Sequence, residues 1–325
     1  MDIVNVFQSA LESFAVGDAM GMPTEFLTRE FIRNKYGLVE TLLDPSVVSP
    51  IHTNLKMGQV TDDTEQVLWL INAYYEARKV DAETTLKALR MWYEKTNPFT
   101  KGFVGPSTSS VLSGQTNVSS GTTCGAAMRI LAVSLAIRKA DVNSLRRAIF
   151  ESCLCTHNSN IAIEAAMALG YAYHYAAAGA SYEEILEQAI QGARVGREIA
   201  ACDFVGAHTC DRIKWGVQMV KNMSSVDDVL DFIYKVIGTT MEANEVVPAA
   251  VLIFAYAREN TWLAIRMGAS VGGDTDTIAA IAGALSALHA KNHNIPENIL
   301  DTVLKVNQLD FRKPAKMLSD MFSGS

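Results

Sequence analysis

Two short segments concentrate the residues best suited to chemistry. One is Gly58-Gln-Val-Thr61-Asp62-Asp63-Thr64-Glu65; the other is Gly272-Gly-Asp274-Thr275-Asp276-Thr277. Each places Thr and Asp directly before a helical apolar pattern, Val67–Trp69 after the first and Ile278–Ile281 after the second. Helix capping accounts for part of this, since Asp and Thr are favoured N-caps and Asp62 with Glu65 has the spacing of a capping box. Capping uses one side-chain oxygen per helix, however. It leaves the adjacent pair Asp62 and Asp63, and the alternate pair Asp274 and Asp276, without a reason. Clustered like charges repel, and no basic residue stands inside either segment. A cation is the simplest compensation. Carboxylate and hydroxyl donors without His or Cys suit a hard ion, Mg²⁺ or Mn²⁺ ahead of Ca²⁺. Four aspartates would neutralise about two divalent ions, which can share ligands, flank a water and fix substrate hydroxyls. On the residues alone, capping, one ion and two ions all remain open.

Helices must position these segments. Apolar residues recur at helical spacing almost throughout: Val67, Leu68, Ile71, Tyr74 and Tyr75 follow one stripe, and Leu86, Leu89, Trp92 and Tyr93 another. The Ala-rich runs Ile161–Ala178 and Ile278–Ala290 suit close helix–helix packing. Alternating Val/Ile/Thr runs are scarce, so the expected class is all-α. Two irregular stretches interrupt the helices. Leu27–Met57 is broken by one short helix near Arg29–Tyr36, and Asn97–Thr123 is rich in Gly, Ser, Thr and Pro without a long periodic element. Loops of this length inside a domain are often functional. With no composition shift or fixed-period repeat, residues 1–325 read as a single domain.

Composition narrows the function classes. The chain has 325 residues, 28 basic and 35 acidic, for a net charge of −7; 49% are hydrophobic and only 19% charged. That balance excludes a disordered chain and argues against a nucleic-acid binder, which needs a basic face. The charge-free stretch Ala165–Tyr182 spans 18 positions, the nominal length of a membrane span. Its Ala content, with Gly170, His174, Gly179 and Ser181, fits a buried helix instead. The start, Met1-Asp-Ile-Val-Asn-Val-Phe, shows no basic n-region followed by an apolar stretch and small-residue cleavage site, so no signal peptide is expected. Five cysteines (Cys124, Cys153, Cys155, Cys202 and Cys210) without a CxxC pair suggest reduced thiols. The expectation is a cytoplasmic protein without membrane or nucleic-acid partners.

The order of motifs resembles the ADP-ribosylglycohydrolase family through most of the chain. It runs from Ala15-Val-Gly17-Asp18-Ala-Met-Gly21-Met-Pro23-Thr-Glu25 through Thr61-Asp-Asp-Thr-Glu and Gly125-Ala-Ala-Met-Arg129. It continues in Val247-Pro-Ala-Ala and closes in Gly272-Gly-Asp-Thr-Asp-Thr-Ile-Ala-Ala-Ile-Ala-Gly283. The resemblance implies a compact, orthogonal all-α bundle around a binuclear Mg²⁺ or Mn²⁺ site. It implies that Thr61, Asp62, Asp63, Asp274, Asp276 and Thr277 are the metal ligands. The implied activity is metal-dependent hydrolysis of the N- or O-glycosidic bond at the ribose anomeric carbon. The substrate would be an ADP-ribosylated protein or a small ADP-ribose conjugate.

Other positions gain meaning beside the resemblance. Glu25 suits a general acid or base, since glycosidic cleavage transfers a proton to the leaving group; the plainer alternative is an exposed loop glutamate. Asp62 and Asp276 are expected to serve catalysis as well as metal binding. Asp18 reads as a buried structural carboxylate, and Arg129 as part of a buried ion pair supporting the site. His157, in Cys155-Thr156-His157-Asn158, is a candidate for substrate contact or a satisfied structural histidine. His52 and His208 lie in loops without a motif and receive no role. Relatives commonly have Gly-Asn-Gly just before the helix that follows Gly125, whereas this chain has Gly121-Thr122-Thr123-Cys124-Gly125. Thr122, Thr123 and Gly125 remain candidates for substrate binding, and Cys124 as a nucleophile lacks a visible partner histidine. The departure keeps open a nucleoside or other ribosyl substrate, and a protein that binds ADP-ribose without cleaving it.

Overall fold

The computed structural model describes residues 2–96, 104–114 and 121–324. Among them the regular structure is helical: α1 Ile3–Gly21, α2 Arg29–Tyr36, α3 Pro45–Val48, α4 Asp62–Ala77, α5 Ala82–Thr96 and α6 Pro106–Leu112. The chain continues through α7 Ile130–Leu135, α8 Val142–Leu154, α9 Asn160–Ala178, α10 Tyr182–Ile199, α11 Thr209–Val220 and α12 Val226–Phe232. It ends with α13 Ala243–Ala257, α14 Thr261–Ser270, α15 Thr275–Ala290, α16 Glu297–Asn307 and α17 Arg312–Ser323. The expected all-α class holds, and the sole strand-like feature among the described residues is an isolated bridge between Thr123 and Glu242.

Local signals account for the ends of these elements. Ser159 caps α9 by accepting from the Ala162 N–H, and Gly179, at φ 88°, terminates the helix. The apolar stretch from Ala165 to Tyr182 is therefore broken at Gly179, and among the described residues no helix is long and apolar enough to cross a membrane. The loop Leu27–Met57 contains the expected helix at Arg29–Tyr36 and a second, four-residue helix at Pro45–Val48. Asp44 caps that second helix, with Pro45 in its first turn. Part of Asn97–Thr123, residues 97–103 and 115–120, lies outside the described residues. Within the remainder, α6 corrects the expectation of an irregular segment. Gly105 and Pro106 start this helix; its Ser/Thr-rich sequence carries no apolar stripe.

One contiguous core runs from Val6 to Phe322. At its centre α15 lies between α1 and α14, at distances that only small residues permit. A Cβ on Gly17 would sit 2.4 Å from the Ala279 carbonyl oxygen, and one on Gly268 would sit 2.3 Å from the Ala279 Cα. The Ala-rich face of α15 is thus a packing surface on two sides. The C-terminal end of α1 consequently reaches the N-terminal end of α15, and the functional site lies at that junction.

Candidate metal centre

Two helix N-termini converge here, those of α4 and α15. Both present the positive end of a helix dipole to a group of carboxylates. Thr61 is the N-cap of α4: its hydroxyl accepts from the Asp63 N–H at 3.4 Å. The expected capping box at Asp62 and Glu65 is therefore displaced, and Glu65 instead accepts from the Trp92 indole at 2.8 Å. Asp274 occupies the N-cap position of α15 but caps nothing with its side chain. Its Oδ2 accepts instead from the Cys124 thiol at 3.0 Å. Capping thus does not explain this second aspartate cluster.

Loops from distant parts of the sequence lock the two ends together. Gly272 and Gly273 have φ of 85° and 82°, in the region that favours glycine. The Gly273 carbonyl accepts from the Phe26 N–H at 2.8 Å, and its N–H donates to the Leu27 carbonyl at 3.0 Å. The Asp274 N–H donates to the Thr239 carbonyl at 2.8 Å. Thr24 donates its hydroxyl to the Ala269 carbonyl at 2.7 Å. The Thr122–Cys124 segment pairs with the loop before α13: Cys124 N–H donates to Met241 O at 2.8 Å, and Ala243 N–H donates to Thr122 O at 3.0 Å.

The result is a cavity of about 30 Å³ lined by Glu25, Asp62, Asp63, Asp274, Asp276 and Thr277, with Thr108, Thr123, Cys124, Gly125, Met128 and Met241 completing its wall. Five of the six expected ligands therefore line one cavity. Thr61 stands behind it, buried, with its N–H on Asp18 Oδ1 at 3.0 Å. Asp18 also receives the Thr64 N–H at 3.1 Å and the Thr64 hydroxyl at 2.5 Å. It thereby ties α1 to the first turn of α4, the structural position expected of it.

The electrostatics of the cavity are unusual for a folded interior. Among the described residues, no lysine or arginine lines it. Burial pushes the Asp62, Asp63 and Asp276 carboxyls well above the usual carboxylate range, and neighbouring carboxylates push them further. Burial also raises Asp274, opposed by hydrogen bonds from Cys124 and Thr277, and it raises Asp18 to about 6. Asp63 Oδ1 is buried and has no hydrogen-bond partner. An unpaired oxygen on a buried carboxylate that shares a cavity wall with four others is costly unless a cation satisfies it. The donor set fits a divalent ion.

Glu25 is buried at 4% exposure, so the exposed-loop alternative does not hold. Its Oε2 lies 2.5 Å from Nε2 of His52, which is itself buried. Burial raises the Glu25 carboxyl, and the His52 contact opposes that rise. Ligating atoms of Glu25, His52 and Asp276 lie within 4.8 Å of one another. Sequence reasoning gave His52 no role. Its partner is a glutamate 27 positions away, with no motif linking them.

A second set of bonds joins the cavity wall to its support. Gln66 donates to Asp62 Oδ2 at 2.9 Å and accepts from Arg129 at 3.4 Å. Arg129 is fully buried and donates to Gly125 O and to the Thr156 hydroxyl, each at 2.6 Å. Its partners are neutral acceptors and, among the described residues, no carboxylate pairs with it, which corrects the expected ion pair. Because Thr156 Oγ1 accepts from Arg129, its proton is free for His157 Nδ1 at 2.7 Å. His157 Nε2 then donates to the Thr123 hydroxyl at 3.0 Å. Burial, with Arg129 nearby, drives the His157 pKa well below its ordinary value, so the ring is neutral. His157 lies behind the wall rather than on it: a Cβ on Gly125 would come within 2.8 Å of its ring. Thr122 is likewise off the cavity, and His208 precedes α11 elsewhere.

A helical fold with aspartates at two converging helix ends defines a class, and comparison with known proteins assigns it. A sequence model of the ADP-ribosylglycohydrolase family matches residues 4–323, and the chain belongs to that family of glycosidases. An uncharacterized protein of Archaeoglobus fulgidus is 32% identical over 305 residues, covering 91% of this chain and 90% of its own. The ADP-ribosylarginine hydrolase Tri1 of Pseudomonas putida is 27% identical over 305 residues, covering 89% and 72% respectively. Among solved structures, an ADP-ribosylglycohydrolase-related protein complex superposes with a TM-score of 0.70 at 21% identity, over 98% of both chains.

Proposed function

We propose that the acidic cavity is the catalytic centre of a metal-dependent ADP-ribosyl hydrolase. The reaction would cleave the N- or O-glycosidic bond at the ribose anomeric carbon of an ADP-ribosylated protein or a small ADP-ribose conjugate. The observation that carries this reading is the unpaired, buried Asp63 Oδ1 in a cavity of carboxylates with no basic residue on its wall among the described residues. Thr61, Asp62, Asp63, Asp274, Asp276 and Thr277 would hold two divalent ions, Mg²⁺ or Mn²⁺, with Thr61 acting through the first turn of α4 that it caps. Such ions supply an acidified water and fixed positions for vicinal ribose hydroxyls.

The chain's own groups do the rest. Burial favours the protonated Glu25 carboxyl, the form that donates to a departing group. His52 fixes the orientation of that carboxyl through Oε2. A cavity of about 30 Å³ has no room for a nucleotide. The body of the substrate would therefore occupy the adjoining pocket of about 480 Å³, which shares Thr123 and Met241 with the cavity. Phe26, Tyr234 and Glu242 line this pocket too.

The test is the double variant Asp62→Asn/Asp276→Asn, assayed for Mn²⁺ binding by calorimetry and for hydrolysis of ADP-ribosyl-arginine, ADP-ribosyl-serine and nucleosides. Loss of both properties together is expected. Full turnover in the double variant removes the mechanism. Turnover of nucleosides alone reassigns the substrate, in line with the Thr123-Cys124 departure. Tight ADP-ribose binding without turnover in the wild type makes the protein a reader.

A further inference from the structure

The cavity wall carries sulfur beside its oxygen ligands. Cys124 Sγ lies 3.0 Å from Asp274 Oδ2, and Met128 and Met241 line the same space. Cys124 is 5% exposed, and the backbone bond from its N–H to Met241 O fixes its position. The unpartnered Asp63 Oδ1 on this wall independently points to a bound cation. Carboxylate oxygen selects hard ions, whereas thiolate selects thiophilic ones such as Zn²⁺, Co²⁺ and Cd²⁺. Bonds of about 2.3 Å to sulfur and about 2.1 Å to oxygen at a tetrahedral angle span about 3.6 Å, so one ion reaches both donors once their 3.0 Å contact opens by about 0.6 Å.

We propose that Cys124 and Asp274 together form a ligand pair for a thiophilic divalent cation, so that a zinc-class ion competes with Mg²⁺ or Mn²⁺ for this cavity. The inference rests on the metal-centre reading above and adds a selectivity that the oxygen ligands alone lack. Coordination replaces the S–H···O hydrogen bond with S–metal and O–metal bonds, and the thiol proton leaves to solvent. The other four cysteines, Cys153, Cys155, Cys202 and Cys210, do not line the cavity.

Chelator-treated protein titrated with Cd²⁺ and followed in the ultraviolet tests this. A thiolate-to-metal charge-transfer band is expected in the wild type, saturating near one ion per chain. Cys124→Ser should lose that band and bind Cd²⁺ at least about tenfold more weakly, while keeping its Mn²⁺ affinity by calorimetry. A band of equal strength in Cys124→Ser overturns the proposal, as does no band in a wild type that binds Mn²⁺. Absence of Mn²⁺ binding with the band intact overturns only the oxygen-ligand reading; absence of both overturns the two together. Should the variant fail to fold, excess Mn²⁺ must displace the wild-type band. A band that resists displacement places the thiolate elsewhere and also refutes the proposal.

Discussion

Replacing Gly273 by alanine should cost far more than the loss of a glycine elsewhere, and the cost can be worked out contact by contact. At φ 82° an alanine is strained by about 1–2 kcal/mol. Its Cβ would lie 1.9 Å from the Thr239 carbonyl oxygen, which belongs to backbone and cannot swing aside. Relieving the overlap requires the two loops to part by more than an ångström. That movement breaks the bond from Asp274 N–H to Thr239 O and strains the one from Phe26 N–H to Gly273 O. Each is worth about 1 kcal/mol. The expected loss is about 3–5 kcal/mol in urea unfolding, with Mn²⁺ affinity falling because Asp274 moves with the loop. Gly179→Ala is the control: Gly179 has nearly the same φ, 88°, and nothing within 4 Å of the added Cβ. It should lose only about 1–2 kcal/mol and keep its metal affinity. Equal destabilisation by the two substitutions, or unchanged Mn²⁺ affinity in Gly273→Ala, would refute the claim that this loop contact places the ligand.

Other outcomes follow from single groups. Burial raises Asp18 from 3.8 to about 6, so the folded protein holds that proton longer than the unfolded chain. Its stabilising contribution is complete below about pH 4 and lost as pH rises through about 6, a change of about 3 kcal/mol. His157, His174 and His289, with lowered pKa values, act in the opposite sense but cancel in a comparison with Asp18→Asn. Asp62, Asp63 and Asp276, raised in part by Asp18, change with it and in the same direction. In chelator, the stability of the wild type relative to Asp18→Asn should therefore fall between pH 4 and pH 7 (about 3 kcal/mol); a flat difference counts against it. His52→Ala frees the Glu25 carboxyl and should lower kcat about tenfold to a hundredfold with little change in KM, while a pure rise in KM would point to substrate binding instead. Mn²⁺ at about a hundred times its Kd should add about 2.7 kcal/mol of stability, an increment absent from Asp62→Asn/Asp276→Asn if those carboxylates hold the ion.

The helices were legible because their signals are local. The stripe Val67, Leu68, Ile71, Tyr74 and Tyr75 became α4, and the Ala run from Ile278 became α15. α6 was not legible, since Ser107, Thr108, Ser109 and Ser110 carry no apolar stripe and Gly105-Pro106 is its only start signal. At the site, the paired aspartates stood out because capping needs so few of them. The Glu25–His52 contact and the bond from Cys124 to Asp274 join residues far apart in the sequence, and no local spacing encodes them. His157 was legible as a buried polar group. Its place behind Gly125, rather than on the cavity wall, depends on three-dimensional packing.

The packing of α1 against α15 also dictates when the site can exist. Asp18 and Glu25 are made early in synthesis, whereas Asp274 and Asp276 are made late. Thr275 Oγ1 bonds to Gly21 O across 254 positions. Closing so long a loop is slow and precedes the contacts that reward it. A nascent chain that ends before Asp274 therefore carries Asp62 and Asp63 without their opposing carboxylates. On the ribosome, the divalent ions proposed for this site would not be an early nucleus for the fold; they would seal a junction that the last third of the chain has already closed.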